Sequence, residues 1–122
     1  MKVAFTSTDG ETIDRHFAMS ETFHIWDVGP EEAKFAARVA VPAGGGDEED
    51  RIAARADAIA GCAIVCTLQI GGPAAARLVA RKIHPMKAGA ETTVAGMVGK
   101  IQEVLKGNPP PWLRKAMSGN RE

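Results

Sequence analysis

Seven consecutive residues, Cys62-Ala63-Ile64-Val65-Cys66-Thr67-Leu68, form a near-continuous apolar run of strand length. Such a run predicts a strand buried on both faces, the central position of a parallel sheet. Its flanks support this reading. Upstream, Asp47 is a good helix N-cap, and Glu48, Glu49 and Asp50 place negative charge at the positive end of a helix dipole. Ile52, Ala53, Ala56, Ile59 and Ala60 recur at helical spacing, and Gly61 is expected to close that helix as its C′ residue. Downstream, Ile70-Gly71-Gly72-Pro73 leads into a second helix over 74–82, with proline in the first turn.

The remaining segments complete an alternating pattern. Lys2 to Ser7 reads as a strand followed by the turn Thr8-Asp9-Gly10, and Thr22 to Val28 alternates as a second strand. Phe35 to Val41 supplies a third, so the first third of the chain is expected to be a meander. Between the first two strands lies a polar loop pinned by Ile13 and Phe17. The segment 83–87 is a candidate edge strand, because Pro85 argues against a central one. A glycine-rich loop over 42–46 precedes the first helix, and Thr92 or Glu91 opens a last helix that runs through Leu105 and is closed by Gly107. The order is β-β-β-α-β-α-β-α. Right-handed crossovers then place the first, fourth and fifth strands parallel in a mixed five-stranded sheet with helices on both faces. Residues 1–107 form the domain in this reading, and 108–122 form a proline-rich C-terminal tail with one further turn over 113–117.

Charge and cysteine usage narrow the function. Fifteen basic residues balance fifteen acidic ones, whereas a nucleic-acid binder usually shows a basic excess. No apolar run approaches the roughly 20 residues that cross a bilayer, and the N-terminus enters strand-like sequence without a secretory leader. A cytoplasmic location follows by default, with Cys62 and Cys66 both as thiols. Their four-residue spacing suits neither a disulfide framework nor a four-cysteine zinc site.

In open α/β sheets, ligands bind beyond the carboxyl ends of the parallel strands. Two segments are expected there: the loop 7–20, with Asp9, Asp14, Arg15 and His16, and Gln69-Ile70-Gly71-Gly72-Pro73. Glycines at a helix N-terminus expose backbone N–H groups to an anion, with Arg77 one turn in, or they simply make a tight turn. His16 is either a metal ligand with Arg15 favouring an anionic cluster, or a surface histidine beside the structural anchor Phe17. Cys62 and Cys66, on one face of a strand, are a thiolate pair or small core residues. His84 is a modest second-ligand candidate, and Met19 and Met86 read as packing. Asp9 and Asp14 leave open a metal-dependent hydrolase, although no histidine or cysteine is placed to form a relay with them.

These residues form a known pattern. Met1-Lys2-Val3-Ala4-Phe5, Asp14-Arg15-His16-Phe17, Cys62-Ala63-Ile64-Val65 and Ile70-Gly71-Gly72-Pro73-Ala74-Ala75-Ala76-Arg77-Leu78 resemble the dinitrogenase iron–molybdenum cofactor biosynthesis domain. Ile83-His84-Pro85-Met86-Lys87 and the tail Pro109-Pro110-Pro111-Trp112-Leu113-Arg114-Lys115 look like its NifX branch. The resemblance implies a ribonuclease H-like α/β fold and a non-enzymatic cytoplasmic carrier. Its cargo is the iron–sulfur precursor of the nitrogenase cofactor, passed from a cluster synthase to a maturation scaffold. It also implies His16 as the cluster ligand, with Arg15, Gly71, Gly72 and Arg77 as charge complement and His84 or Cys62 as lesser metal candidates. The alternative is an adaptor for an assembly protein, with Pro109-Pro110-Pro111-Trp112 as its contact. The family commonly has glycine after His-Phe, where this chain has Ala18.

Overall fold

Strand β1 (Lys2–Thr6) is buried along nearly its whole length, and alternate residues feed two different cores. Val3 and Phe5 point to one face of the sheet and Ala4 to the other, as the two-residue period of a strand requires. A computed structural model describes residues 1–41, 47–89 and 92–114 of the chain. In it, β1 pairs antiparallel with β2 (Thr22–Val28), which pairs antiparallel with β3 (Ala33–Ala40) through a bulge at Ile25/Trp26. On its other side β1 runs parallel to β4 (Ile64–Thr67), and β4 parallel to β5 (His84–Lys87). The sheet order is β3-β2-β1-β4-β5. Pro85 does lie on an edge strand, where a missing N–H costs no ladder bond.

Helices cover both faces. The side with Ala4, Phe23, Ile25 and Val65 packs on α1 (Glu48–Ala58) and α2 (Gly72–Ala80) through Ile52, Ala56, Ala74 and Leu78. The opposite side, with Val3, Phe5, Ile64 and Cys66, packs on α3 (Val94–Lys106) through Val94, Met97, Val98, Ile101 and Leu105. Local chemistry sets the helix starts. Asp47 accepts a hydrogen bond from the Asp50 amide at 2.9 Å, and Thr93 accepts one from the Gly96 amide at 2.9 Å, each worth about 1 kcal/mol. No helix of the described residues is long and apolar enough to cross a membrane.

Three boundaries differ from the sequence expectation. The central strand begins at Ile64 rather than Cys62, because the Cys62 amide donates to the Ile59 carbonyl at 3.0 Å and belongs to the turn that closes α1. Cys62 therefore packs against the α1/α2 side while Cys66 packs against the α3 side. The two thiols lie on opposite sides of the sheet, not on one face. Next, α1 stops at Ala58 with Ile59 as its cap; Gly61, at φ +91°, makes the reversal two residues later. Finally, packing does not stop at Gly107. A helical turn over 111–114 buries Leu113 in the α3-side core, and Trp112 stacks on His84 with ring centroids 4.0 Å apart. The glycine loop 42–46, Glu91 and the tail from 115 onward lie outside the described residues.

Candidate functional site

The loop between β1 and β2 is held from beneath by buried hydroxyls. The Arg15 carbonyl accepts from the Thr6 Oγ1 at 2.8 Å, the Thr67 Oγ1 at 3.0 Å and the Leu68 amide at 3.0 Å. The Phe17 amide donates to the Gln69 carbonyl at 2.9 Å. Residues 15–17 thereby run as a parallel extension beside the carboxyl end of β4, with His16 bridged to Gln69. The two predicted apolar anchors hold the loop on both sides of the sheet: Ile13 enters the α3-side core, and Phe17 enters the other against Phe23. From above, buried Arg55 of α1 donates through Nε to the Ser20 carbonyl at 2.9 Å. A side chain on this loop is thus carried on a backbone tied to two strands and a helix.

His16 is exposed at the head of this loop and lines a half-open cavity of about 440 Å³ with Ala18, Met19, Gln69, Ile70, Gly71 and Lys87. That volume lies within the roughly 300–1,000 Å³ typical of small-molecule sites. The cavity sits beyond the carboxyl ends of β4 and β5, where an open α/β sheet places its ligands. One wall is a 3-10 turn (Phe17–Met19) in which the Met19 amide donates to the His16 carbonyl at 3.1 Å. Ala18 sits in this turn without left-handed backbone. Among the described residues only Lys82 combines a side chain with positive φ, so the turn makes no demand for glycine at 18.

The structure brings together some of the expected residues and separates others. His16 and Gly71 line the cavity, and Gly72 is the first residue of α2 just beyond it. Arg15 contributes its backbone to the anchor, while its Nε donates to the Thr8 Oγ1 at 3.0 Å and its side chain is not part of the lining. Arg77 turns toward α1 and pairs with Glu49 at 2.8 Å, in a separate depression with Ile52 and Pro73. His84 is in register with Ile64, three steps before Lys87, so it lies about 10 Å away toward the amino ends of the parallel strands. Cys62 is buried near the same end, and burial pushes its thiol up to about 11; that of Cys66 reaches about 12 for the same reason.

The two loop carboxylates have structural work. Asp9 accepts from the Ser7 hydroxyl and the amides of Glu11 and Thr12. The backbone bonds from Thr12 and Glu11 hold its carboxyl below the usual range. Asp14 accepts from the amide and hydroxyl of Thr8. Among the described residues no group of three or more His, Cys, Asp or Glu is placed to hold a metal ion.

Sequence reasoning missed Lys87 as a site residue and read Met19 as packing. Lys87 ends a parallel strand, so the carboxyl-end rule that selected Gln69 and Gly71 also covers it. Met19 is 62% exposed on the cavity wall, whereas Met86 does pack against the core.

An open mixed sheet with a ligand-sized cavity at its carboxyl edge, lined by the exposed imidazole of His16, defines a small α/β domain with a candidate binding site. Comparison with known proteins sharpens this. Residues 1–104 match the family described as dinitrogenase iron–molybdenum cofactor. The chain is 38% identical to NifX of Herbaspirillum seropedicae, across all of this chain and 85% of that protein. It is 34% identical to NifX of Rhodobacter capsulatus, across 96% of this chain and 77% of that protein. Identity to NifY of Azotobacter vinelandii is 37%, but the chain spans only 48% of that protein. The crystal structure of PH0822 superposes with a TM-score of 0.56 at 25% identity, covering 92% of this chain and 99% of that one. This chain belongs to the dinitrogenase iron–molybdenum cofactor family, in its NifX branch. Its role lies in the biosynthesis of the nitrogenase cofactor.

Proposed function

We propose that this protein binds the iron–sulfur precursor of the nitrogenase cofactor and hands it on, without catalysing turnover. The supporting observation is an exposed His16 on a backbone locked by Thr6 and Thr67, lining a cavity to which Lys87 also contributes. A neutral imidazole nitrogen donates a lone pair to iron. The Lys87 ammonium and the positive end of the α2 dipole, which begins beside Gly71, complement an anionic cargo. Of the sequence-derived set, His16 and Gly71 line this site, Gly72 lies just beyond it, and Arg15 serves through its carbonyl. Arg77 is engaged with Glu49, and His84 and Cys62 are remote from the cavity. A single protein ligand suits a carrier, because a full coordination set would hold the cargo too tightly to release it.

The source and acceptor in this reading are a cluster synthase and a maturation scaffold, met in the cytoplasm. Residues 1–107 hold the cargo, and the proline-rich segment that follows packs back through Leu113 within its described residues, 108–114. We assign the sheet to the ribonuclease H-like class on its β3-β2-β1-β4-β5 order with β2 reversed. The adaptor alternative keeps Pro109-Pro110-Pro111-Trp112 as its contact: Trp112 stacks on His84 yet stays 39% exposed.

The test is anaerobic titration of wild type and His16→Ala with the isolated cofactor precursor, followed by iron content and visible absorbance. Stoichiometric uptake that weakens at least tenfold in the variant is expected. Absence of uptake by the wild type refutes the carrier reading, and equal uptake by both proteins moves the ligand away from His16.

A further inference from the structure

The cavity wall beside His16 is unusual in its softness. The His16 carbonyl accepts from the Met19 amide at 3.1 Å, which closes the 3-10 turn over Phe17–Met19 and brings both residues to the cavity rim. The imidazole of His16 and the thioether of Met19 both line the cavity, together with Ala18 and with Ile70 on the adjoining segment. Met19 is 62% exposed, so its side chain is not filling the core. Lys87, at the end of β5, contributes an ammonium to the same lining.

We infer that Met19 and Lys87 make this cavity selective for sulfide-surfaced anions over oxyanions of the same charge; the inference rests on the carrier reading and specifies the chemistry its site accepts. Lys87 attracts any anion. Selection comes from the apolar and thioether part of the lining, Ala18, Met19 and Ile70. An oxyanion is strongly hydrated and loses hydrogen bonds to water when placed against methyl and thioether groups, which cannot replace them. Sulfide is larger, more polarizable and a poorer hydrogen-bond acceptor. It gives up less on leaving water and gains dispersion contact with the polarizable methionine sulfur. The contact is non-covalent, and no proton moves.

Molybdate and tetrathiomolybdate are matched probes, both tetrahedral dianions that differ only in oxygen against sulfur. Equilibrium dialysis of the full chain against each, with molybdenum analysis, reads the preference directly. Wild type is expected to bind tetrathiomolybdate about tenfold more tightly than molybdate. Met19→Gln keeps the length of the side chain but presents an amide that can hydrogen-bond to oxygen. It should compress the preference to about threefold or less. Lys87→Gln should weaken both dianions by about threefold to tenfold and leave their ratio unchanged. Both variants alter exposed side chains, so an unchanged thermal midpoint serves as the folding control.

Equal affinity of the wild type for the two dianions, failure to bind either, or an unaltered ratio in Met19→Gln overturns the inference. Anaerobic titration of the same three proteins with the cofactor precursor separates the two readings. Uptake by the wild type together with an unaltered dianion ratio in Met19→Gln leaves the carrier standing and removes the selectivity. Loss of uptake by the wild type removes the carrier itself.

Discussion

Replacing Thr67 by valine tests whether buried hydroxyls hold the His16 loop. Thr67 is 0% exposed, so no water can take the place of its hydroxyl. That hydroxyl lies 3.0 Å from the Arg15 carbonyl and 3.0 Å from the Gln69 carbonyl. Both acceptors keep another donor in the variant: the Leu68 amide for Arg15 and the Phe17 amide for Gln69. No buried carbonyl is stranded, so the cost stays near the net value of one hydrogen bond, about 1 kcal/mol, rather than a full desolvation penalty. With a urea m-value of about 1–3 kcal/mol/M, the unfolding midpoint should fall by about 0.3–1 M at constant m. Adding Thr6→Val removes the second hydroxyl from the same carbonyl and should bring the loss to about 2 kcal/mol. Because these bonds tie the backbone next to His16, the double variant should also weaken cofactor-precursor uptake while leaving the imidazole in place. A double variant within about 0.5 kcal/mol of wild type, with unaltered uptake, would refute the reasoning.

Three further outcomes are expected. Leu113→Ala should cost about 2–5 kcal/mol in denaturant unfolding, because a side chain 3% exposed leaves a cavity against the α3-side core; a loss below about 1 kcal/mol would mean the tail is not part of the fold. Native Cys62 and Cys66, with thiols at about 11 and about 12, should resist iodoacetamide at pH 8 and react only after denaturation, since about one thiol in a thousand or fewer is then ionised; rapid native labelling would contradict their burial. Burial chiefly, and then Arg38, hold the His24 imidazole below its usual pKa, with Asp9 opposing, and its Nε2 has no hydrogen-bond partner. The unfolded chain then takes up a proton first as pH falls below about 6.5, so stability is full above that value and declines beneath it. His24→Gln should flatten the decline in urea midpoints between pH 7.5 and 5.5, and an identical slope in the variant would exclude His24 as its source.

The NifX-branch assignment and the α/β architecture were both readable in the residues. A double-sided apolar run at 64–67, an N-cap at Asp47 and a proline in the first turn after Gly71 are local signals, and local signals follow directly from residue chemistry. They gave the element order, the edge position of β5 and the loop anchored by Ile13 and Phe17. The side-chain neighbours of the site were not local. Arg77 lies one helical turn from Gly72, yet Glu49, 28 residues away, takes its guanidinium. Cys62 and Cys66 share a two-residue parity, yet a hydrogen bond from the Cys62 amide to Ile59 takes Cys62 out of the strand. Lys87 reaches the His16 cavity only because β5 pairs in parallel register with β4. Periodicity determines which face a residue presents to its own element. Which residues meet across elements depends on register and helix docking, set by burying two cores at once, and only the folded chain carries that information.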